Sequence, residues 1–124
     1  MSMPVVILFA HGARDPAWAQ PFQALREALR SARPEGRVEL AFLELMEPGL
    51  PDLVATLANE GVNEIVVVPV FLGRGGHLRR DFPVLMEAAR ARAPAVTVRE
   101  TLAVGELPAV IAAMSGAILG VLEE

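Results

Sequence analysis

Short apolar runs alternate along the chain with segments of helical period. Residues 5–9 form a β-rich apolar run. Across 17–33, Phe22, Leu25, Ala28, Leu29 and Ala32 recur at the spacing of one helix face. Asp15-Pro16 supplies a cap and a first-turn proline for that helix, and Pro21, inside the pattern, is expected to delay or kink its start. Arg33-Pro34-Glu35-Gly36 ends it. Residues 38–45 read as a second strand and 50–60 as a second helix, closed by Gly61. The third strand, 64–71, is the most continuously apolar, as expected of one buried on both faces. A third helix over 82–92 stops near Ala93-Pro94; a fourth strand over 96–102 and a last helix over 106–122 follow.

Strands alternating with helices of this length predict a parallel sheet covered on both faces, a three-layer α/β/α arrangement of four strands. Right-handed crossovers leave few topologies, and a flavodoxin-like order is the expected one. The last helix breaks the pattern. Ser115 is the only polar residue between Glu106 and Glu123, whereas a helix on the outside of a sheet should present a polar face. Part of it is therefore expected to be covered by another chain, in a homodimer. Ala112, Ala113, Gly116, Ala117 and Gly120 would let another helix approach closely.

Composition narrows the chemistry. A chain of 124 residues makes one domain, 1–124. Its net charge of −4, with no continuous basic run, argues against a nucleic-acid partner. The 107–122 segment falls short of the ~20 residues a membrane span needs, and MSMPVVILFAHG does not read as a signal peptide. A soluble, cytoplasmic protein with no membrane partner is expected. Cysteine is absent, which excludes disulfides, thiolate metal sites and cysteine nucleophiles. All 11 cations are arginine, so Schiff-base and P-loop lysines are excluded, and planar donors suited to carboxylate or phosphate remain.

In an open parallel sheet the carboxyl ends of the strands share one edge, and ligands bind there. The first strand ends in His11-Gly12, the second carries Glu44, and the third runs into FLGRGGHLRRDFP, which holds His77. One strand–helix unit separates each of the three from the next, so they are expected to converge. Two imidazoles and a carboxylate can ligate a borderline divalent metal and leave positions open. Neutral imidazole is also a base near neutral pH. Such a site could hold a metal, shuttle protons, or do both in turn. Without thiolates it would suit a metal in transit better than a permanent structural ion.

Each residue also has a plainer reading. A histidine after a strand usually serves local hydrogen bonding, and most carboxylates are merely solvated. Gly73, Gly75 and Gly76 would serve a tight turn. Arg79 and Arg80 would face water at a helix start, where positive charge opposes the dipole; an anion between them would make that placement easier to understand.

Three segments together resemble a known family. LFAHGARDPAW is similar to the apolar-strand-then-HGSRDP signature of the small sirohydrochlorin chelatases, the CbiX/SirB group. FLELMEPGLPDLV resembles that family's second-strand segment, with its glutamate and following proline, and VVVPVFLGRGGHLRRDFP its PxFLxxGxHxxxDxP segment. They cover the first two-thirds of the chain in the family's order; beyond Pro94 only the pattern of strand and helix matches. Ala13 and Gly49 stand where the family often has serine, and neither change removes a ligand.

The resemblance implies insertion of a divalent metal, cobalt or ferrous iron, into sirohydrochlorin, in cobalamin or sirohaem biosynthesis. The metal is then a substrate, and no organic cofactor is needed. By the same resemblance His11, Glu44 and His77 handle the metal, and the two histidines are the catalytic residues. Sirohydrochlorin is rimmed by carboxylates, which Arg14, Arg74, Arg79 and Arg80 could meet through charge-assisted hydrogen bonds, with Gly75 and Gly76 letting the flat ring approach. The family's short form works as a pair of copies.

Rival readings are weaker. An α/β-hydrolase needs a G-x-S-x-G elbow, which Ser2, Ser31 and Ser115 do not provide. A histidine phosphatase wants Arg-His-Gly, but Ala10 precedes His11. A nucleotide-binding module lacks the required glycine spacing. A non-catalytic metal or tetrapyrrole carrier is the nearest alternative, because it could use the same three residues.

Overall fold

The computed structural model describes residues 3–124, with the His77 side chain outside the described set. Strand β1 is Val5–Ala10, β2 Val38–Phe42, β3 Glu64–Pro69 and β4 Thr97–Glu100. Helix α1 is Gln20–Ala32, α2 Leu50–Asn59, α3 Gly76–Arg92 and α4 Pro108–Leu122. The sheet is parallel, in the order β2-β1-β3-β4, the flavodoxin-like arrangement that the alternation predicts. Register puts Leu8 of β1 beside both Leu40 and Val68, and Ile65 of β3 beside Val98.

The period-two alternation of the strands separates two apolar clusters. On one face Ile7, Phe9, Ile65 and Val67 meet Val54 and Leu57 of α2 and Phe82 and Met86 of α3, all with essentially no exposure. The Phe9 ring stacks on Phe82 at 5.3 Å and meets Phe71 edge-on at 5.9 Å. On the other face Leu8, Ala10, Leu40 and Phe42 pack with Phe22 and Leu29 of α1.

The element starts show which local signals prevail. A 3-10 turn, Pro16–Ala19, precedes α1, and the Asp15 carboxylate accepts the Ala17 N–H at 2.9 Å. The α-helix proper begins at Gln20, with Pro21 in its first turn, where a missing N–H costs nothing. Helix α3 begins six residues earlier than expected. Pro83 marks a helix start in sequence but sits inside this one. Leu78 is buried one turn before Phe82, and a buried leucine contributes about 1.5–3 kcal/mol, comparable with the ~3 kcal/mol cost of an interior proline. Strand β2 is shorter than expected. It ends at Phe42, and Leu45 has a φ of 65°, which no strand accommodates.

Helix α4 follows a second 3-10 turn, Val104–Glu106, rather than starting at Glu106, and its main contacts are with that turn. None of its residues is buried, and Ile118 is 60% exposed and Leu122 74%. No described helix is long and apolar enough to cross a membrane.

Candidate functional site

His11 is the first residue beyond β1, and Glu44 the second beyond β2 rather than within it. The Leu43 N–H donates to the Ala10 carbonyl at 2.8 Å, extending the pairing of the two strands into the loops. Gly12 then lets the loops touch: a Cβ there would lie 1.6 Å from the Glu44 carbonyl oxygen. Every side chain larger than hydrogen would push the Glu44 backbone away. The outcome is a His11 Nδ1–Glu44 Oε1 separation of 3.6 Å, with the two side chains 50% and 43% exposed. That is beyond hydrogen-bond length but close enough for one bound ion to touch both.

Two aromatic residues hold His11. The Phe71 ring meets the imidazole edge-on at 4.8 Å, and the Trp18 indole N–H donates to the His11 carbonyl at 2.7 Å. Neither the Trp18 contact nor the need for a bare backbone at Gly12 carries any periodic signal; the only trace is their place in the HGARDPAW segment. A cavity of about 360 Å³ opens beside the imidazole, lined by His11, Trp18, Phe22, Val70, Phe71, Leu72 and Gly73. A larger recess of about 510 Å³ runs along edge strand β2 and includes none of the residues singled out in the sequence.

The glycine-rich segment leaves β3 at Phe71, whose carbonyl accepts the Gly105 N–H at 2.8 Å. A Cβ on Gly105 would stand 2.0 Å from the Leu72 carbonyl oxygen, so this loop and the turn before α4 are pressed together. Gly73, Gly75 and Gly76 require no such contact, because a Cβ on any of them would meet open space. Gly75 is extended at φ −74°, ψ 172°, so a tight turn is not what these glycines serve. They leave the surface in front of α3 bare.

Arg74 is held by its own chain. Its Nε lies 3.2 Å from Glu106, its Nη2 donates to the Thr101 carbonyl at 3.3 Å, and its guanidinium sits 5.6 Å over the Phe82 ring. Arg14 and Arg79 are exposed, and Arg80 Nε donates to the Gly76 carbonyl at 3.2 Å. Helix α3 opens with the Arg79 N–H donating to the Gly75 carbonyl at 3.0 Å. No side chain caps its first turn and no acidic residue lies in it. His77 is in this turn, on the element that follows β3; its side chain lies outside the described residues. Among the described residues, then, His11 and Glu44 come together, and no three metal-ligating side chains cluster.

Fold and edge together define a class: a small doubly wound α/β protein with a histidine–carboxylate pair where β1 and β2 end. Comparison supplies the family. The CbiX family profile matches residues 5–119, and the chain belongs to the CbiX family. It is 39% identical over 84 residues to the sirohydrochlorin cobaltochelatase of Methanopyrus kandleri, a match covering 68% of this chain and 59% of that protein. The matched part thus spans less than two thirds of that relative's length. A CbiX protein from Marinobacter aquaeolei superposes with a TM-score of 0.84 at 33% identity, covering 98% of this chain and 97% of its own. The sirohydrochlorin chelatase SirB of Bacillus subtilis subspecies spizizenii, in complex with cobalt, aligns at a TM-score of 0.66 and 28% identity, covering 79% of this chain and 42% of SirB.

Proposed function

We propose that the protein is a chelatase that inserts a divalent metal, cobalt or ferrous iron, into sirohydrochlorin, with the metal as substrate and no organic cofactor. The observation that carries this reading is the His11–Glu44 pair, half-exposed and 3.6 Å apart, in a chain of the CbiX family. An ion about 2.0–2.2 Å from each atom would subtend an angle of roughly 120° between them, a geometry a divalent metal accepts. His77, in the first turn of the helix after β3, would complete the set.

Metallation releases two pyrrole N–H protons as the ion enters the ring. Imidazole is a suitable acceptor, and His11 and His77 share the duties of ligand and base. A pair open to water, without thiolate, lets the metal go, as transfer requires. The uncapped start of α3, bare glycines and exposed Arg79 and Arg80 form a surface fit for the substrate's carboxylates. Arg14 would reach the same rim from the loop after β1. Arg74, already bonded to Glu106 and Thr101, would brace Gly75 and Gly76 beneath the ring rather than clamp it.

Residues 1–124 would act as one chelatase-like unit, working in the cytoplasm as a homodimer in which a second copy helps to enclose the macrocycle. The test is the visible spectrum of anaerobic sirohydrochlorin with Co²⁺ or Fe²⁺, followed in time with and without the protein. Acceleration by the wild type, lost in both His11→Ala and His77→Ala, is the expected outcome. Full activity in both variants would overturn the site, and tight ring binding without acceleration would leave a carrier in place of an enzyme.

A further inference from the structure

The two unfinished surfaces of this chain fit each other. The first is α4, which carries no charged residue between Pro108 and Leu122 and contributes nothing to either apolar cluster. The second is the α1-side face of β3 and β4. Helix α1 leans toward the β2 edge: Arg30 donates to the Val38 carbonyl at 3.0 Å, and Arg26 lines the recess along β2. Its opposite flank, with Leu25 37% exposed and Ala32 also exposed, borders β3. There Val68 and Val70 remain partly exposed, and Thr97 and Arg99 of β4 face solvent. The chain's own α4, which would ordinarily cover such a face, is not among its main contacts.

We propose that α4 is exchanged between two copies, the helix of each lying on the β3 face of the other, beside the Leu25 flank of α1. The proposal rests on the homodimer reading above and specifies its geometry. A 15-residue helix is about 22 Å long, close to the ~20 Å of a six-residue strand such as β3. Seating one side of it removes on the order of 400 Å² from water. Two helices and two receiving faces then bury about 1,600 Å² in total, the size of a standard stable interface. One two-fold operation satisfies all four surfaces at once, which no unrelated partner would do. Because α4 is apolar on every side, its outer flank would also be sheltered where the paired copies meet.

The exchange also concerns the site. Val70, Leu72, Trp18 and Phe22 wall the cavity beside His11 and lie at the carboxyl end of the same uncovered face. A helix from the second copy would border that cavity and narrow the room left for a flat ring.

The chain has no cysteine, so single engineered thiols report contacts without background. Leu25→Cys and Ile118→Cys, both at exposed positions, would be made as separate full-length proteins, mixed through a mild unfolding and refolding cycle, and treated with a short bis-maleimide. Sedimentation equilibrium would measure the mass of each unlinked protein. The expected result is a dimer that gives a covalent product between the two variants in the mixture and little in either alone. Self-linking of Ile118→Cys without a mixed product would mean that the α4 helices pair with each other, and would overturn the exchange. A dimer with no product would overturn it too while leaving the homodimer intact. A monomer at tens of micromolar would remove both. Spectral metal insertion, measured separately on the wild type, keeps the chelatase reading independent of each result. Leu119→Arg, changing a residue 56% exposed within its own chain, should halve the sedimenting mass; an unchanged mass would count against any seat for α4 on a second copy.

Discussion

The two faces of the sheet are built to different degrees of completion. Under α2 and α3 the face is closed: Phe9, Phe82, Met86 and Leu57 are inaccessible to water, and their rings and chains interdigitate. Under α1 it is closed only over β1 and β2; Val68, Val70 and Leu25 stay partly open, and α4 stands uncovered. One face holds the fold together, and the other supplies surface for an encounter. The candidate chemistry lies at the carboxyl edge where the two faces meet, so the closed face can keep it rigid while the open one admits ligand.

The sharpest way to break this contrast is to hollow the closed face. Phe82→Ala should cost about 3–5 kcal/mol, most of a typical domain's stability, and would appear as a large fall in the urea midpoint. A fall below 1 kcal/mol would mean that the α3 side is not the stabilising one. Next in size is Gly12→Ala, whose Cβ collides with the Glu44 backbone; it should lower metal insertion roughly 100-fold, as displacements of about 1 Å at reacting groups do, with the fold retained by circular dichroism. Near-normal activity would show that the His11–Glu44 approach is dispensable. Arg79→Ala/Arg80→Ala, at the open start of α3, should weaken sirohydrochlorin binding by about tenfold or more, as expected on losing charge-assisted hydrogen bonds, and leave Co²⁺ affinity unchanged. An unaltered ring affinity would dismiss the carboxylate rim. The smallest effect is expected from Val84→Ser. This side chain is on α3 but 66% exposed, so stability should move by no more than about 0.5 kcal/mol; a larger loss would show that α3 is covered on its outer side as well.

Much of the fold is legible in the residue pattern because burial is periodic. A parallel strand flanked by helices must be apolar, as β3 is, and a helix with one buried face shows it at Phe22 and Leu29. Helix α3 was harder to read because its buried stripe (Leu78, Phe82, Met86, Ala89) crosses Pro83 and begins among glycines and arginines, which locally suggest a loop. The candidate site was legible only in part. His11, Glu44 and His77 stand out as polar residues at strand ends, but nothing local distinguishes Arg74, committed to its own chain, from exposed Arg79.

The sequence by itself determined the layers, the parallel sheet and the edge at which polar residues gather, since each follows from short-range period and chain direction. The tertiary structure alone decided how near His11 comes to Glu44, which arginine is already taken, and that α4 finds no cover within its own chain. Those outcomes depend on contacts between residues distant in sequence: the bare backbone of Gly12 against Glu44, Trp18 on the His11 carbonyl, and Gly105 against Leu72. Such contacts are set by packing in three dimensions, and periodicity along the chain carries no record of them.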